Sequence, residues 1–199
     1  MGALVSDLFE EPEDATPLEP EEREGLLQTW ITYRSELNET EQANIAAGAA
    51  WAHRQRRRDV LTEDFVTELH RRMFGDVWAW AGEFRRTERN IGIDPIRIPV
   101  EIRMTLDDAR YWVDHETYPP DEIAVRLHHR LVAIHPFPNG NGRTTRLVAD
   151  LLAVRLGQEP FTWGRASLTD VGETRACYIA ALRAADDHDI RPLLAFARS

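Results

Sequence analysis

One short segment of this 199-residue chain gathers residue types that bind anions and move protons. Residues 135–146 read HPFPNGNGRTTR. The imidazole of His135 is the nearest group that can take a proton near neutral pH. Two glycines permit backbone conformations that other residues rarely adopt, and Arg143 and Arg146 follow within one helical turn. The segment therefore combines a candidate general base with a candidate anion site.

The two arginines indicate what kind of anion would bind. Gly142 leads directly into a predicted helix, so the loop presents backbone N–H groups at a helix N-terminus. Arg143 and Arg146 lie in the first turn, where each exposed cation is unfavourable by about 0.3–1 kcal/mol. A polyphosphate would neutralise both, and we predict such a site. The alternative is a buried turn in which the arginines pair with carboxylates such as Asp150.

Helix signals on both sides of the segment place it at a junction. Pro136 predicts that the preceding apolar helix ends at His135. Upstream, Asn38 with Glu41 is typical of a capping box that opens a helix. The predicted helices are about 38–56, 62–75, 100–117, 121–134, 142–156 and 167–186, with a last turn from Pro192.

A different pattern lies between Trp80 and Pro99. Glycines and prolines punctuate short runs that contain β-branched residues, and Arg89–Ile98 alternates as a small β-hairpin would. We therefore predict an all-α fold with one small β-hairpin.

Composition limits the remaining possibilities. Residues 1–24 carry nine acids and one base, which predicts a flexible acidic arm before a domain of residues 25–199. All 24 basic residues are arginine, so lysine chemistry is excluded. The net charge of −10 and the lack of a long apolar run argue against nucleic-acid and membrane binding. With one cysteine, Cys177, no internal disulfide forms, and we expect a cytoplasmic protein.

The segment 135–146 resembles the motif of the Fic family, His-x-Phe-x-Asp/Glu-Gly-Asn-Gly-Arg-x-x-Arg. Residues 69–85, LHRRMFGDVWAWAGEFR, resemble the segment that precedes the flap in Fic proteins. Residues 89–99, RNIGIDPIRIP, are similar to the flap hairpin. The resemblance covers about residues 30–185 and is greatest to a bacterial subgroup called mobile mystery protein B.

The resemblance implies a helical bundle that transfers AMP from ATP, with Mg²⁺ or Mn²⁺, to a Ser, Thr or Tyr hydroxyl of a target protein. It also implies that the chain can modify itself. His135 would be the general base, and Phe137 would hold the loop on the helices. The implied nucleotide-binding residues are Asn139, Gly140, Asn141, Gly142, Arg143 and Arg146. The flap would dock the target by strand addition, through Asn90, Ile91, Gly92 and Ile93.

One position departs from the family motif. Asn139 stands where the family has an acid that holds Mg²⁺, and a neutral amide is a weaker ligand than a carboxylate. The resemblance therefore implies weakened AMP transfer. The alternative is a Fic-fold module that binds a nucleotide or a partner, with phosphotransfer, AMP removal or no turnover, as in a toxin–antitoxin-like pair.

Many Fic proteins also carry an inhibitory helix with the pattern Ser/Thr-x-x-x-Glu-Gly/Asn, whose glutamate pairs with the last arginine of the motif. Here Thr32…Glu36 and Ser35…Glu39 match in part. We favour Glu36, because Asn38 follows closely; Glu39 is the alternative. Both glutamates also suit the exposed start of a helix, in which case a separate regulatory protein would supply any inhibition.

Overall fold

Seven α-helices make up most of the described chain, which is residues 25–164 and 171–199 of a computed structural model. They are α1 (Arg34–Arg54), α2 (Glu63–Phe74), α3 (Ile98–Asp114), α4 (Pro120–Ile134), α5 (Asn141–Arg155), α6 (Val171–Asp186) and α7 (Arg191–Arg198). The all-α prediction is confirmed. Among these described helices, none has the length and apolar character needed to cross a bilayer. The predicted acidic arm, residues 1–24, lies outside the described residues.

Several predicted helix ends are confirmed by their capping contacts. The Thr62 hydroxyl accepts a hydrogen bond of 3.2 Å from the N–H of Phe65 and so caps α2. The same helix ends at Gly75, whose N–H donates to the carbonyl of Arg71. α4 ends at His135, which adopts a left-handed conformation with φ of 52°. The turn into the motif therefore begins where the proline signal placed it.

The start of α1 differs from the prediction. The helix begins upstream of Asn38, because the carboxylate of Glu36 accepts hydrogen bonds from the N–H groups of Thr32 (2.9 Å) and Tyr33 (3.2 Å). These contacts satisfy backbone groups that a helix start otherwise leaves unpaired. The predicted capping box of Asn38 and Glu41 is therefore wrong, and both residues lie inside the helix.

The helices pack mainly in chain order, α1 on α2, α3 on α4, α4 on α5, and α6 on α7. α4 and α5 form the centre. Leu127 and Leu131 of α4 and Val148 of α5 are fully buried, and each such side chain stabilises the fold by about 1.5–3 kcal/mol. The loop between these two helices therefore rests on a buried part of the core.

The predicted β-hairpin does not form. Residues 86–97, the flap segment, are all described, and they run as bends into a short 3₁₀ turn without paired strands. Their backbone groups bond elsewhere: the N–H of Ile93 donates to the carbonyl of Ile134 (3.3 Å), and the Arg85 guanidinium donates to the carbonyl of Ile93. Pro95 has no N–H to add to a ladder. The flap segment is therefore attached to the motif rather than to a second strand.

Candidate functional site

A cavity of about 730 Å³ opens where residues 135–146, the motif loop, meet α1 and α6. That volume lies in the range of small-molecule sites. Its wall includes Leu37 and Glu41 of α1, Trp78, Ile91 of the flap segment, His135, Asn139 to Arg143 and Arg146 of the motif loop, and Arg175, Tyr178, Ile179 and Leu182 of α6. The structure thus brings the predicted base and anion-binding residues to one cavity, and it adds α6, which sequence reasoning missed.

The motif loop is held in a specific conformation. Gly140, the N-cap of α5, has φ of 74°, and a Cβ there would lie 2.5 Å from the Phe74 ring. Glycine is therefore required both by the backbone and by the space. The buried side chain of Asn141 accepts from the N–H of Phe137 and donates to its carbonyl, both at 2.8 Å. Asn141 therefore braces the loop with its side chain.

The N-terminus of α5 supplies the backbone donors that the sequence predicts. The Thr144 N–H makes the first hydrogen bond of the helix, to the carbonyl of Gly140 (3.0 Å), so the N–H groups of Asn141, Gly142 and Arg143 lie in the first turn, where the helix offers them no carbonyl. A Cβ placed on Gly142 would meet nothing within 4 Å. Unpaired amides beside open space at a helix N-terminus form an anion site.

Arg143 is paired with a carboxylate from α1. Its guanidinium lies 2.9 Å from one oxygen of Glu41, and the other oxygen accepts a hydrogen bond of 2.6 Å from the Trp78 indole. Asp150, the partner considered from the sequence, accepts a hydrogen bond from the Trp163 indole at 2.9 Å. A buried glutamate thus faces the predicted phosphate site and already holds one of its two arginines.

The predicted inhibitory contact between Glu36 and Arg146 is wrong. The carboxylate of Glu36 is engaged at the surface, at the start of α1, and the alternative Glu39 is exposed. Glu41 lies on the buried stripe of α1 one helical turn after Leu37, whereas Glu39 lies about 200° around the helix from Glu41. Helical spacing from the apolar stripe was the signal in the sequence that could have identified Glu41.

Arg146 has a different environment. It is 5% exposed, its guanidinium lies 5.7 Å from the centroid of the Tyr178 ring, and its charge partly offsets the rise that burial causes in the pKa of Tyr178. The Tyr178 hydroxyl in turn lies 2.9 Å from Nε2 of His128, which is fully buried on α4. The motif itself carries no signal for this contact, because Tyr178 lies more than 30 residues further along the chain.

His135 is surrounded by cations and by the flap segment. Arg85 donates to its carbonyl at 2.7 Å, and a Cβ on Gly92 would lie 2.7 Å from the His135 Cβ. Burial, followed by the charges of Arg85 and Arg89, lowers the pKa of His135 below its ordinary value of 6.5. The imidazole is therefore neutral at pH 7, as a general base must be.

The four residues predicted to dock a target lie in the flap segment near His135. Asn90, Ile91 and Gly92 are exposed, and Ile93 is partly buried. Ile91 is 61% exposed and also contributes to the cavity wall. An apolar side chain with this exposure, next to the candidate base, suits contact with a second molecule.

A second histidine, His70 of α2, was not identified from the sequence and holds the backbone of the motif loop. His70 contacts the carbonyl of Asn139 through Nε2 (3.0 Å), and its Nδ1 accepts from the N–H of Gly82 (2.9 Å). Its ring stacks on Phe137 with 3.7 Å between centroids. Burial lowers the pKa of His70 to about 3, so the neutral ring donates from Nε2 and the contact persists across the physiological range.

Residues 25–164 and 171–199 do not form a magnesium site of their own. The side-chain oxygen of Asn139 accepts a hydrogen bond of 2.7 Å from the N–H of Gly140. Among the described residues, no three His, Cys, Asp or Glu side chains cluster as metal ligands do. Mg²⁺ binds proteins chiefly through carboxylates, and a neutral, already bonded amide is a poor substitute.

Comparison with known proteins agrees with this geometry. Residues 60–153 match the model of the Fic/DOC family. Protein adenylyltransferase fic-1 of Caenorhabditis elegans is 35% identical over 142 residues, which are 69% of this chain and 27% of that protein. The chain thus spans about a quarter of the length of this curated relative.

Solved structures show the same fold. The structure of Fic-1 (residues 134–508) from C. elegans has 28% identity and a TM-score of 0.61, covering 91% of this chain and 54% of that one. A Fic domain-containing signalling protein from Bacteroides thetaiotaomicron has 22% identity and a TM-score of 0.67, covering 84% and 71%. With the motif loop, the family match and these relatives in agreement, the chain belongs to the Fic/DOC family.

Proposed function

We propose that this chain is a protein adenylyltransferase, which transfers AMP from ATP to a Ser, Thr or Tyr hydroxyl of a target protein. One observation carries the proposal: a neutral His135 lines the same cavity as the α5 N-terminus with Arg143 and Arg146. The similarity to the C. elegans protein adenylyltransferase fic-1 supports the same activity.

Each part of the cavity has a role in this reaction. His135 takes the proton of the target hydroxyl, whose oxygen bonds to the α-phosphorus as the bond to the β-phosphate oxygen breaks and pyrophosphate leaves. The N–H groups at the start of α5 hold the phosphate oxygens. Arg143 and Arg146 neutralise the β- and γ-phosphates, where charge accumulates on the leaving group. Fixed donors of this kind also align the reacting atoms.

The flap segment would hold the target. An extended target chain would pair with the backbone around Asn90, Ile91 and Ile93, and so bring its hydroxyl to His135. The support is local: Gly92 packs against His135, and Ile91 is exposed beside the cavity. The apolar side chain of Ile91 would be buried by the same contact.

Glu41 would restrain the reaction. Its carboxylate occupies Arg143, which ATP also needs, and a carboxylate competes with phosphate for the same donors. The Trp78 indole holds the other oxygen of Glu41, so the carboxylate is fixed in this position. We therefore expect low basal transfer that rises when the contact between Glu41 and Arg143 is broken.

Asn139 favours a second candidate function, a Fic-fold module that binds nucleotide with little turnover. Its neutral amide already bonds to the N–H of Gly140. Asn139→Asp would restore a carboxylate at this position, and we expect several-fold faster transfer together with a stronger response to Mg²⁺. Equal or slower transfer across magnesium and manganese titrations would show that Asn139 serves another reaction.

Labelled ATP separates the candidates. The protein and its His135→Ala variant are incubated in a cell lysate with Mg²⁺ or Mn²⁺ and with ATP labelled at the α- or the γ-phosphate, and modified proteins are identified by mass spectrometry. AMP transfer gives α-label alone, and only with the wild-type protein. Transfer of γ-label would instead show phosphotransfer. ATP binding in calorimetry without any transferred label would favour the binding module.

A further inference from the structure

We propose that Tyr178 and His128 are positioning residues that hold Arg146 toward the terminal phosphates of ATP through a buried chain of hydrogen bonds. The inference rests on the proposed function, since it assigns the nucleotide as the ligand of Arg146. It adds two residues outside the motif loop, on α6 and α4, to the phosphate site.

The three side chains come from three different helices. Arg146 is in the first turns of α5, and its guanidinium lies 5.7 Å from the centroid of the Tyr178 ring of α6 and acts on the pKa of the phenol. The Tyr178 hydroxyl lies 2.9 Å from Nε2 of His128 on α4. All three are buried, with exposures of 5%, 8% and 0%. Arg146 and Tyr178 also line the cavity, so the chain runs from the core to the predicted phosphate site.

Donor and acceptor chemistry gives the chain one direction. A guanidinium only donates, so the phenol oxygen of Tyr178 accepts from Arg146. The phenol proton is then donated to Nε2 of His128, which must be an unprotonated acceptor. Burial, and next the charge of Arg146, hold the pKa of His128 well below its ordinary value, and burial raises the pKa of Tyr178 to about 12. Both groups therefore keep the required protonation state at neutral pH.

A phenol anchors an arginine in a way that a carboxylate does not. The contact of Glu41 with Arg143 neutralises the cation, and phosphate must displace it. Tyr178 is neutral, so its contact orients Arg146 without neutralising the guanidinium. Arg146 is thus oriented in advance and still charged, which is what a phosphate-binding arginine requires.

The test compares ATP with AMP, which lacks the β- and γ-phosphates. Tyr178→Phe keeps the ring that packs against Phe196 and removes only the hydroxyl. We expect its ATP dissociation constant, measured by calorimetry, to rise about five- to tenfold, as for the loss of one hydrogen bond to a charged partner. The AMP constant should stay within about twofold of wild type, since a lost hydrogen bond to Arg146 affects only the phosphates it holds. The matched control is Tyr111→Phe, which removes a hydroxyl from an exposed tyrosine.

Two further variants make every outcome decisive. His128→Met removes the acceptor for the phenol proton and should cause a smaller loss, again selective for ATP; it also replaces Tyr178→Phe if that variant does not fold. Equal losses for ATP and AMP would overturn the inference, because Tyr178 would then shape the whole cavity. Unchanged ATP affinity in Tyr178→Phe, with a loss in Arg146→Ala, would overturn the inference and leave the proposed function intact. Unchanged ATP affinity in Arg146→Ala would overturn the phosphate site itself.

Discussion

The motif loop and the flap segment meet at His135, yet they are stabilised in opposite ways. The motif loop is fixed by side chains that bond to its backbone, Asn141 from within and His70 from α2. The flap segment is mostly exposed, and two of its isoleucines, at positions 91 and 96, are 61% and 87% exposed. Its attachment to the rest of the molecule depends largely on one buried side chain, Arg85.

This difference shows how the two halves of the site divide their tasks. Groups that bind a small anion act best when they are fixed before it arrives, since no reorganisation is then needed. A segment that binds another protein retains unpaired backbone groups and exposed apolar side chains until the partner covers them. The motif loop has the first character and the flap segment has the second.

The largest expected effect is at His135, where the motif loop and the flap segment meet, and it separates AMP transfer from ATP binding. His135→Ala should reduce AMP transfer by about 10²–10⁴-fold, the usual contribution of a general base. ATP affinity in calorimetry should hardly change, because the backbone donors and arginines of the motif loop remain. Near wild-type turnover in the labelling assay would mean that another group takes the proton.

The next variant loosens the flap segment alone. Arg85→Gln removes a buried guanidinium that bonds to the carbonyls of His135 and Ile93. Hydrogen bonds to charged donors contribute about 1.5–3 kcal/mol each, so loss of positioning should slow target modification by about tenfold or more. ATP affinity should be unchanged, as measured by calorimetry.

Arg85→Lys is the control for that variant, because it keeps the charge but cannot reach several carbonyls in one plane. It should slow target modification nearly as much as Arg85→Gln. If both variants lost ATP affinity as well, the motif loop and the flap segment would be one mechanical unit, and the contrast between them would not hold.

The contrast also explains what the sequence could and could not predict. Gly140, Pro136 and Thr62 impose local geometry, so the start of α2, the end of α4 and the motif loop followed from residue types alone. The alternating isoleucines of the flap segment predicted a hairpin. The hairpin does not form because Arg85, which is outside the alternating run, bonds to the carbonyl of Ile93.

Contacts between residues far apart in the chain were the main features that the sequence did not predict. Glu41 pairs with Arg143 across 102 positions, and His70 reaches Asn139 across 69. No local pattern encodes such a pair, because it depends on how α1 and α2 pack against the motif loop. Glu36 was chosen, with Glu39 as the alternative, and Glu41 was missed for the same reason: the local pattern around Glu36 matched, but that carboxylate caps α1.

A smaller effect tests whether Glu41 competes with ATP for Arg143 of the motif loop. Glu41→Gln removes the charge that occupies Arg143, so ATP should bind about three- to tenfold more tightly, in line with one partly buried ion pair lost as a competitor. Self-labelling with α-labelled ATP should rise in parallel. Glu36→Gln is the matched control, since it weakens the start of α1 without touching the cavity. Equal responses of the two variants would attribute the effect to α1 stability rather than to Arg143.

The smallest expected effect concerns pH and tests whether Arg85, which holds the flap segment, lowers the pKa of His135. AMP transfer requires a neutral His135, so the rate should fall as pH drops through the pKa of His135 in the folded protein, which lies below 6.5. The charge of Arg85 is one cause of that low pKa, after burial. Arg85→Gln removes this charge, so protonation becomes easier and the acid limb of the pH–rate profile should move to higher pH. Arg85→Lys keeps a cation there and should leave the limb near its wild-type position even though its rate is lower. Identical limbs in all three proteins would show that burial alone sets the pKa of His135, and that the flap segment positions the base without tuning it.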